Sequence, residues 1–450
     1  MRLSVVGTGH VGLVAGACLA EMGNQVLCAD NDEVKIASLS RGVPPFFEPG
    51  LEKLVRQNLS RRRLAFTTSV SEAVQGSEVI FIAVDTPPRP DGSADLTSLM
   101  DVTHQIARNV DGYRVVVQKS TVPVGTGERI ERTLRENVNG AGELDLVAMP
   151  EFLREGTAVQ DFLHPDRVVL GVSSPRALEI MEELLKPLNA PLVVADVCTA
   201  ELIKYASNAF LAMKLSYINA VANVCEQVGA DVTKVAEGMG ADPRIGHRFL
   251  AAGVGYGGAC FSKDVSAFIK MSEGLGYDFQ MLRQVQEINY SQRVHLVEKV
   301  RRALGTLQGK QVGVLGLAYK PNTDDMRGAP SIDVISLLLE GGARVKACDP
   351  AALETARGLF GDTIDLCVSP YEAAEGSDAL VLVTEWEEFR ELDMRKMCSL
   401  MRQPYFVDGR NMFHPETMAR LGFIYEGIGR GRLGPGEAEA LPALAAAVSE

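Results

Sequence analysis

Short apolar runs alternate with longer stretches of helical period through roughly the first 195 residues, the pattern of strands and helices wound into one α/β sheet. "RLSVV" is followed by a helix-compatible run and then by "QVLCAD". "EVIFIAV" (Glu78 to Val84), "RVVVQKS" (Arg114 to Ser120) and "LDLVAMP" (Leu144 to Pro150) continue as buried parallel strands. Each gives way to a polar or turn-forming loop: "DTPPRPDGS", "TVPVGT" and "EFLREGTA". In open α/β sheets the ligand crevice lies beyond the carboxyl ends of the strands, so these loops are the expected site walls. From about Asp196 to Val228 the pattern becomes a proline-free run of helical period, predicting a helix of roughly 30 residues and about 45 Å. After about Gly309 strand-like runs return in "KQVGVLGLAYK", "ARVKACDP", "DALVLVTEW" and "YFVDGR". The expected fold class is α/β: two doubly wound Rossmann-like domains joined by a helical domain with a long central helix.

The first turn carries chemistry. Gly7-x-Gly9-x-x-Gly12 follows the opening strand, a helical run comes next, and the second strand ends on Asp30, eighteen residues after Gly12. Gly7 permits the tight turn, Gly9 lets a pyrophosphate reach the backbone, and Gly12 lets helix pack on strand. Asp30 can accept from ribose hydroxyls and repel a 2′-phosphate, which favours NAD over NADP, with Lys35 nearby as a counterweight. The later half echoes this start with Gly313, Gly316 and Asp349, but Ala318 stands at the third position, so a different ligand is expected there. The domains read as 1–196 for NAD, 197–300 as a helical dimerisation domain, 301–430 as the second Rossmann-like domain, and 431–450 as a flexible tail.

Composition narrows the class. A formal charge of −13 over 450 residues argues against nucleic-acid binding, which rests on basic surface. The eight cysteines form no CxxC and cluster with none of the six histidines, so neither a disulfide framework nor a metal site is expected, and a cytoplasmic location fits. No run is apolar and long enough to predict a membrane span, and the glycines interrupt the one N-terminal stretch resembling a leader.

"GYGGACFSKD" (Gly255 to Asp264) places Cys260 between glycines and a Lys263–Asp264 pair. The thiol is either a buried apolar filler or a nucleophile served by a neighbouring charge and a carboxylate. Lys204 and Asn208 stand four apart in the long helical run, as solvated residues or as a polar pair on one face. These residues alone leave both questions open.

The motifs taken together resemble a known family. "VVGTGHVGLV", "KSTVPVGT", "PEFLREGTA", "ELIKYASNAFLAMKLSYIN", "DPRIGHRFLAAGVGYGGACFSKD", "GLAYKPNTDDMRGAPS" and "VDGRN" are similar, in order and spacing, to the nucleotide-sugar 6-dehydrogenases of the UDP-glucose/GDP-mannose dehydrogenase family. The resemblance extends to about residue 430. It implies NAD-dependent oxidation of a sugar C6 alcohol, twice, to a carboxylate through a cysteine thiohemiacetal and thioester. UDP-glucose giving UDP-glucuronate is the expected pair, with GDP-mannose or a UDP-N-acetylhexosamine as alternatives. By the same resemblance Cys260 is the nucleophile, and Lys204 and Asn208 hold the oxyanion. Asp264 and Thr121 manage water and protons, and Glu151 assists. Gly7, Gly9, Val11, Gly12, Asp30, Lys35, Thr86, Thr121, Glu155, Lys263 and Arg327 are expected along NAD. The substrate is expected on Glu151, Phe152, Leu153, Arg154, Glu155, Lys204, Asn208, Phe249, Leu250, Ala251, Ala252, Gly253, Gly257 and Lys320. The resemblance also implies a homodimer in which Arg244 reaches the neighbouring active site.

Two other functions fit these residues less well. An NAD-dependent epimerase wants a Tyr-x-x-x-Lys pair, and Tyr205 and Tyr217 are followed at that spacing by Ala209 and Val221. A silent NAD-binding regulator leaves Cys260, Lys204 and Asp264 without use.

Overall fold

The computed structural model describes residues 1–138, 140 and 142–437. The chain forms two compact units, Met1–Ser207 with Ser266–Asp278, and Asn208–Val265 with the chain from Phe279 onward.

The first unit holds eight strands: β1 (Arg2–Val6), β2 (Gln25–Ala29), β3 (Leu64–Thr67), β4 (Val79–Ile82), β5 (Tyr113–Gln118), β6 (Glu143–Ala148), β7 (Val168–Val172) and β8 (Leu192–Ala195). They lie in the order β3-β2-β1-β4-β5-β6-β7-β8. Neighbours run parallel except β6 and β7. Strand β4 shows why both faces must be covered. Val79 and Phe81 enter the core under the His10–Glu21 helix, while Ile80 and Ile82 enter the opposite core with Ile106 and Ile130. The strand order reverses between β1 and β4, and the loops after these strands and after β5 and β6 open at the same carboxyl edge.

The predicted long helix runs from Val197 to Val228, 32 residues or about 48 Å at 1.5 Å each. The division between units falls within it, after Ser207, eleven residues beyond the expected boundary at 196. In the second unit its Ile218, Ala222 and Cys225 join the core, whereas Phe210, Tyr217 and Val224, seven apart, remain exposed. The helices Val232–Gly240, Ala259–Gly274 and Gln280–Leu304 follow before any further strand.

The second sheet is β9 (Gln311–Leu315), β10 (Arg344–Cys348), β11 (Asp365–Leu366), β12 (Ala379–Leu382), β13 (Tyr405–Asp408), β14 (Ile424–Gly427) and β15 (Arg432–Leu433), ordered β11-β10-β9-β12-β13-β14-β15. It is parallel apart from β14 with β15. Strand β15 falls inside the stretch expected as a tail, and residues 438–450 of that stretch lie outside the described residues.

Candidate active site

The glycine turn is built for a phosphate. Gly7 sits at φ +100°, where an added Cβ would lie 2.5 Å from the Ala83 carbonyl oxygen. A Cβ on Gly12 would lie 2.0 Å from the Gly7 carbonyl oxygen, so only glycine lets the helix begin this close to the turn. Among the described residues no side chain caps the helix N-terminus at Gly9, which leaves its first amides for an anion. Asp30 braces the turn from the end of β2: the Thr8 amide and hydroxyl donate to its Oδ2 at 2.8 and 2.7 Å, and Lys35 Nζ lies 3.0 Å from the same oxygen. Burial pushes the Asp30 carboxyl up, but the bonds from Thr8 and Lys35 outweigh it and hold the group below its ordinary range. Lys35, the cation that spoke for NADP, is therefore engaged by Asp30. These residues fit NAD.

Beyond β5 and β6 lies a cluster of buried charge. Lys204 Nζ donates to Glu151 Oε1 at 2.7 Å, with both side chains at most 6% exposed. The Leu153 amide donates to the other oxygen of Glu151 at 2.7 Å, folding the "PEFL" turn around the carboxylate. Burial raises the Glu151 carboxyl, yet Lys204, the Leu153 amide and the charge of Lys119 together draw it below the ordinary value. The Phe152 ring lies 5.4 Å from Lys204 Nζ and carries the Arg167 guanidinium 3.6 Å from its centroid. Thr86 donates its hydroxyl to the Thr121 carbonyl at 2.7 Å, tying together the loops after β4 and β5.

In the second unit Cys260 is exposed and stands in the first turn of the Ala259–Gly274 helix, where backbone dipoles favour anionic charge. Asp264, one turn on, is buried and has both oxygens occupied. Asn208 Nδ2 donates at 2.7 Å to one, and Lys263 Nζ lies 2.9 Å from the other. The other cysteines behave differently. Cys28 is packed against Gly16, and burial pushes its thiol up to about 12. Cys198 is exposed, but desolvation and then Glu201, Asp196 and Glu128 push its thiol up. Cys260 alone combines exposure, a helix start and a lysine three residues on.

The glycine-rich approach to Cys260 is held from several sides. Asn289 pairs with both the amide and carbonyl of Tyr256, at 2.8 and 3.0 Å. Arg410 of the "VDGRN" motif donates to the Gly255 carbonyl at 3.0 Å, and Arg293 to the Tyr256 carbonyl at 2.9 Å. Gly257 is a packing glycine, since a Cβ there would lie 2.6 Å from the Gly328 carbonyl oxygen. In the expected substrate segment, Leu250 and Ala252 bury their side chains, Gly253 donates its amide to Asn219 Oδ1 at 2.8 Å, and Ala251 is exposed. Phe249 sits at φ +64°, an uncommon conformation for an aromatic residue, with its ring 6.2 Å from that of Phe261.

The remaining expected residues are outlying or half-buried. Val11 and Glu155 are half-buried, and Lys320 Nζ lies 5.3 Å from the Tyr319 ring centroid. Arg154, Arg244 and Arg327 are exposed, each forked onto a nearby acid: Asp161, Asp242 and Asp325. The sequence reading assigns no role to Glu48 or His10. Glu48 accepts from the Gly156 and Ala158 amides at 2.8 and 2.9 Å and pairs with His10 Nε2 at 2.8 Å, so the glycine turn and the "FLREG" turn share one carboxylate. Glu201 was also missed; it receives the Gly125 and Gly127 amides at 2.7 Å.

A dinucleotide-binding sheet, a lysine–carboxylate pair at its edge and an exposed thiol beside a bound acid define the class: nicotinamide-dependent oxidoreductases that carry a cysteine. Residues 1–189 match the NAD binding domain of the UDP-glucose/GDP-mannose dehydrogenase family, 198–291 its central domain and 313–415 its UDP binding domain. A UDP-glucose 6-dehydrogenase of Rhizobium meliloti is 48% identical over 437 residues, 96% of this chain and 100% of that protein. One from Bacillus subtilis is 46% identical over 95% of this chain and 93% of its own length. The structure of a UDP-glucose dehydrogenase from Pyrobaculum islandicum superposes with a TM-score of 0.90 at 40% identity, covering 95% of this chain and 97% of that one. A UDP-D-ManNAc dehydrogenase from Pyrococcus horikoshii gives 0.84 at 27% identity, covering 96% and 99%. The chain belongs to the UDP-glucose/GDP-mannose dehydrogenase family.

Proposed function

We propose that this protein oxidises UDP-glucose to UDP-glucuronate, with two NAD⁺ reduced and one water consumed per sugar. The observation that carries the chemistry is the exposed Cys260 thiol at a helix start, followed by the Lys263–Asp264–Asn208 arrangement. UDP-glucose is favoured by the 46–48% identity to UDP-glucose 6-dehydrogenases, against 27% to the UDP-D-ManNAc dehydrogenase.

Bound NAD⁺ supplies the hydride acceptor for both oxidations. In the first, Lys204 stabilises the C6 alkoxide as its proton leaves to water managed by Asp264 and Thr121, and the Glu151 carboxylate holds the ammonium in place. The thiol, its proton passed to water managed by Asp264, then adds to the aldehyde carbon: a C–S bond forms as the C=O π bond breaks, leaving a thiohemiacetal oxyanion that Lys204 and Asn208 stabilise. Removing hydride from that carbon leaves a thioester, which an aldehyde alone cannot supply as readily. Asp264, with Thr121, orients the water that breaks the C–S bond, and the thiol regains its proton. Gly7, Gly9, Val11, Gly12, Asp30, Lys35, Thr86, Glu155, Lys263 and Arg327 are assigned to the cofactor, and the "FLRE" turn, Phe249–Gly253, Gly257 and Lys320 to the UDP-sugar. Purified protein is expected to form two NADH per UDP-glucose consumed, read at 340 nm against sugar nucleotide by chromatography; a ratio of one would remove the thioester step.

A cytoplasmic homodimer is the assembly in which this site works. The exposed Phe210, Tyr217 and Val224 stripe of the long helix supports a self-association face, and no helix among the described residues is long and apolar enough to cross a membrane. Arg244, exposed and held by Asp242, is assigned to the neighbouring subunit's substrate. Arg244→Ala is expected to raise KM for UDP-glucose about tenfold or more with NAD affinity unchanged; an unchanged KM, or a monomer by light scattering, would remove that assignment.

A further inference from the structure

We infer that Lys119 is a positioning residue of the oxidation: its ammonium supplies a second positive charge to Glu151, keeping that carboxylate ionised and in place while Lys204 serves the reacting oxygen. The inference rests on the roles given above to Glu151 and Lys204.

Lys119 is the residue after β5, and Glu151 lies three beyond the end of β6. These are paired parallel strands in register Gln118 with Ala148, and the Met149 amide donates to the Gln118 carbonyl at 2.9 Å just before both residues. Lys119 is only 3% exposed. Among the described residues its ammonium makes no hydrogen bond; the Phe162 ring of the Ala158–Leu163 helix lies 5.7 Å from Nζ. A buried ammonium without hydrogen bonds is costly unless an opposite charge faces it. The charged groups acting on it are Glu151 from the β6 loop and Lys204 from the long helix. On Glu151 the same two lysines act, together with the Leu153 amide. Asp161, on the helix that contributes Phe162, is taken by Arg154.

Two lysines, Lys204 and Lys119, thus act on the Glu151 carboxylate. With Lys204 bonded to Glu151 a single lysine would suffice for charge balance. Once Lys204 turns its hydrogen bonds to an alkoxide or thiohemiacetal oxyanion, Glu151 without Lys119 becomes a lone buried carboxylate, takes up a proton and loosens its grip on the Leu153 amide. With Lys119 present it remains an acceptor. Burial, against the pull of Glu151 and with the push of Lys204, brings the Lys119 ammonium down to about 8, so the second charge is in place below that pH and fades above it.

The test is the pH dependence of kcat for wild type, Lys119→Met and Lys119→Arg, with Glu151→Gln as control. Substrate is whichever of UDP-glucose, GDP-mannose and UDP-N-acetylmannosamine the wild type oxidises. In Lys119→Met the acid limb is expected to move up by about one pH unit, which is about a tenfold loss of kcat on the acid side. KM for the sugar nucleotide and the dissociation constant for NAD are expected to stay within about threefold, a separation that misfolding does not give. Lys119→Arg restores the wild-type limb, and Glu151→Gln abolishes it. A Lys119→Met limb coincident with wild type overturns the inference, as does a Lys119→Arg enzyme that behaves like Lys119→Met. Turnover of GDP-mannose or UDP-N-acetylmannosamine instead of UDP-glucose removes only the substrate reading. Turnover of none of the three removes both.

Discussion

Cys260→Ser is expected to lower UDP-glucuronate formation by about a thousandfold or more, while NAD and UDP-glucose still bind. The reason is the second oxidation. A thiolate adds to the C6 aldehyde and leaves from the acyl stage readily, whereas a serine hydroxyl, a far weaker acid and a poorer leaving group, does neither well. The structure gives the thiol what that job requires: exposure, a helix start, and a neighbouring carboxylate already held by Asn208 and Lys263. Serine preserves the size and the helix start, so binding measured by calorimetry separates lost chemistry from lost fold. A serine variant that still forms two NADH per sugar, at a rate within tenfold of wild type, would falsify the nucleophile assignment.

The largest expected stability effect lies far from the chemistry. Lys299 on the Gln280–Leu304 helix is 1% exposed and bridges Glu226 Oε1 at 2.8 Å and Glu426 Oε1 at 2.9 Å. His295 Nε2 pairs with Glu226 at 2.8 Å, the Gly429 amide donates to it at 2.8 Å, and the Tyr405 hydroxyl donates to Glu426. Lys299→Met removes the cation and leaves two acids in a closed interior, at an expected cost of about 3–5 kcal/mol. Urea unfolding followed by far-UV circular dichroism reads this as a lower midpoint with unchanged slope. Adding Glu426→Gln to Lys299→Met is expected to restore part of the loss, because it removes one of two acids left facing each other with only the exposed Arg302, 3.6 Å from Glu426, as a cation for that one; no recovery would mean that packing rather than charge carries the cost. Acid sensitivity follows from Glu226. Burial pushes its carboxyl up, but His295, Lys299 and the Gly429 amide bring it down to about 2. A depressed carboxyl adds stability that is complete above its unfolded value near about 4.3 and disappears as pH falls toward its folded value. In Lys299→Met the folded value rises toward the unfolded one, so this contribution is smaller and is exhausted at higher pH.

The hydrophobic pattern was enough to place β1, β2, β4, β5, β6, β9, β10, β12, β13 and the long helix, because strands such as β4 and β5 are short β-branched runs with buried residues on both faces and the helix keeps its period without proline. The antiparallel step from β6 to β7 left no such mark, since register and direction are set by partners distant in sequence. The glycine turn was legible because its requirement is steric and local. Lys204, Asn208 and Asp264 were visible only as polar residues in suspect places, and their bonds to Glu151 and to each other join positions 53 and 56 residues apart. Glu48 and Lys119 were not singled out at all. "FFEPG" reads as a turn and "QKS" as a strand end, and nothing in either string shows that the acid meets backbone amides 108 and 110 residues on or that the lysine is sealed from water.

The second sheet repeats the first one's acid at the end of a strand, but closes it off. Asp349 Oδ2 receives the Leu317 and Ala318 amides and the Trp386 indole N–H at 2.6, 3.0 and 3.0 Å, and Oδ1 receives the Ala351 and Ala352 amides at 2.8 Å each. With the carboxylate bonded to its own backbone and a tryptophan, Asp349 is built unlike Asp30, and among the described residues the full Gly-x-Gly-x-x-Gly turn of a dinucleotide berth stands in the first sheet. On the proposed chemistry the two oxidations then take turns at that berth, and the spent nicotinamide departs while the half-oxidised sugar waits. A reactive aldehyde set loose during that exchange would diffuse away or meet a stray amine. The thiol is thus also a mooring: it keeps the intermediate in custody between one cofactor and the next.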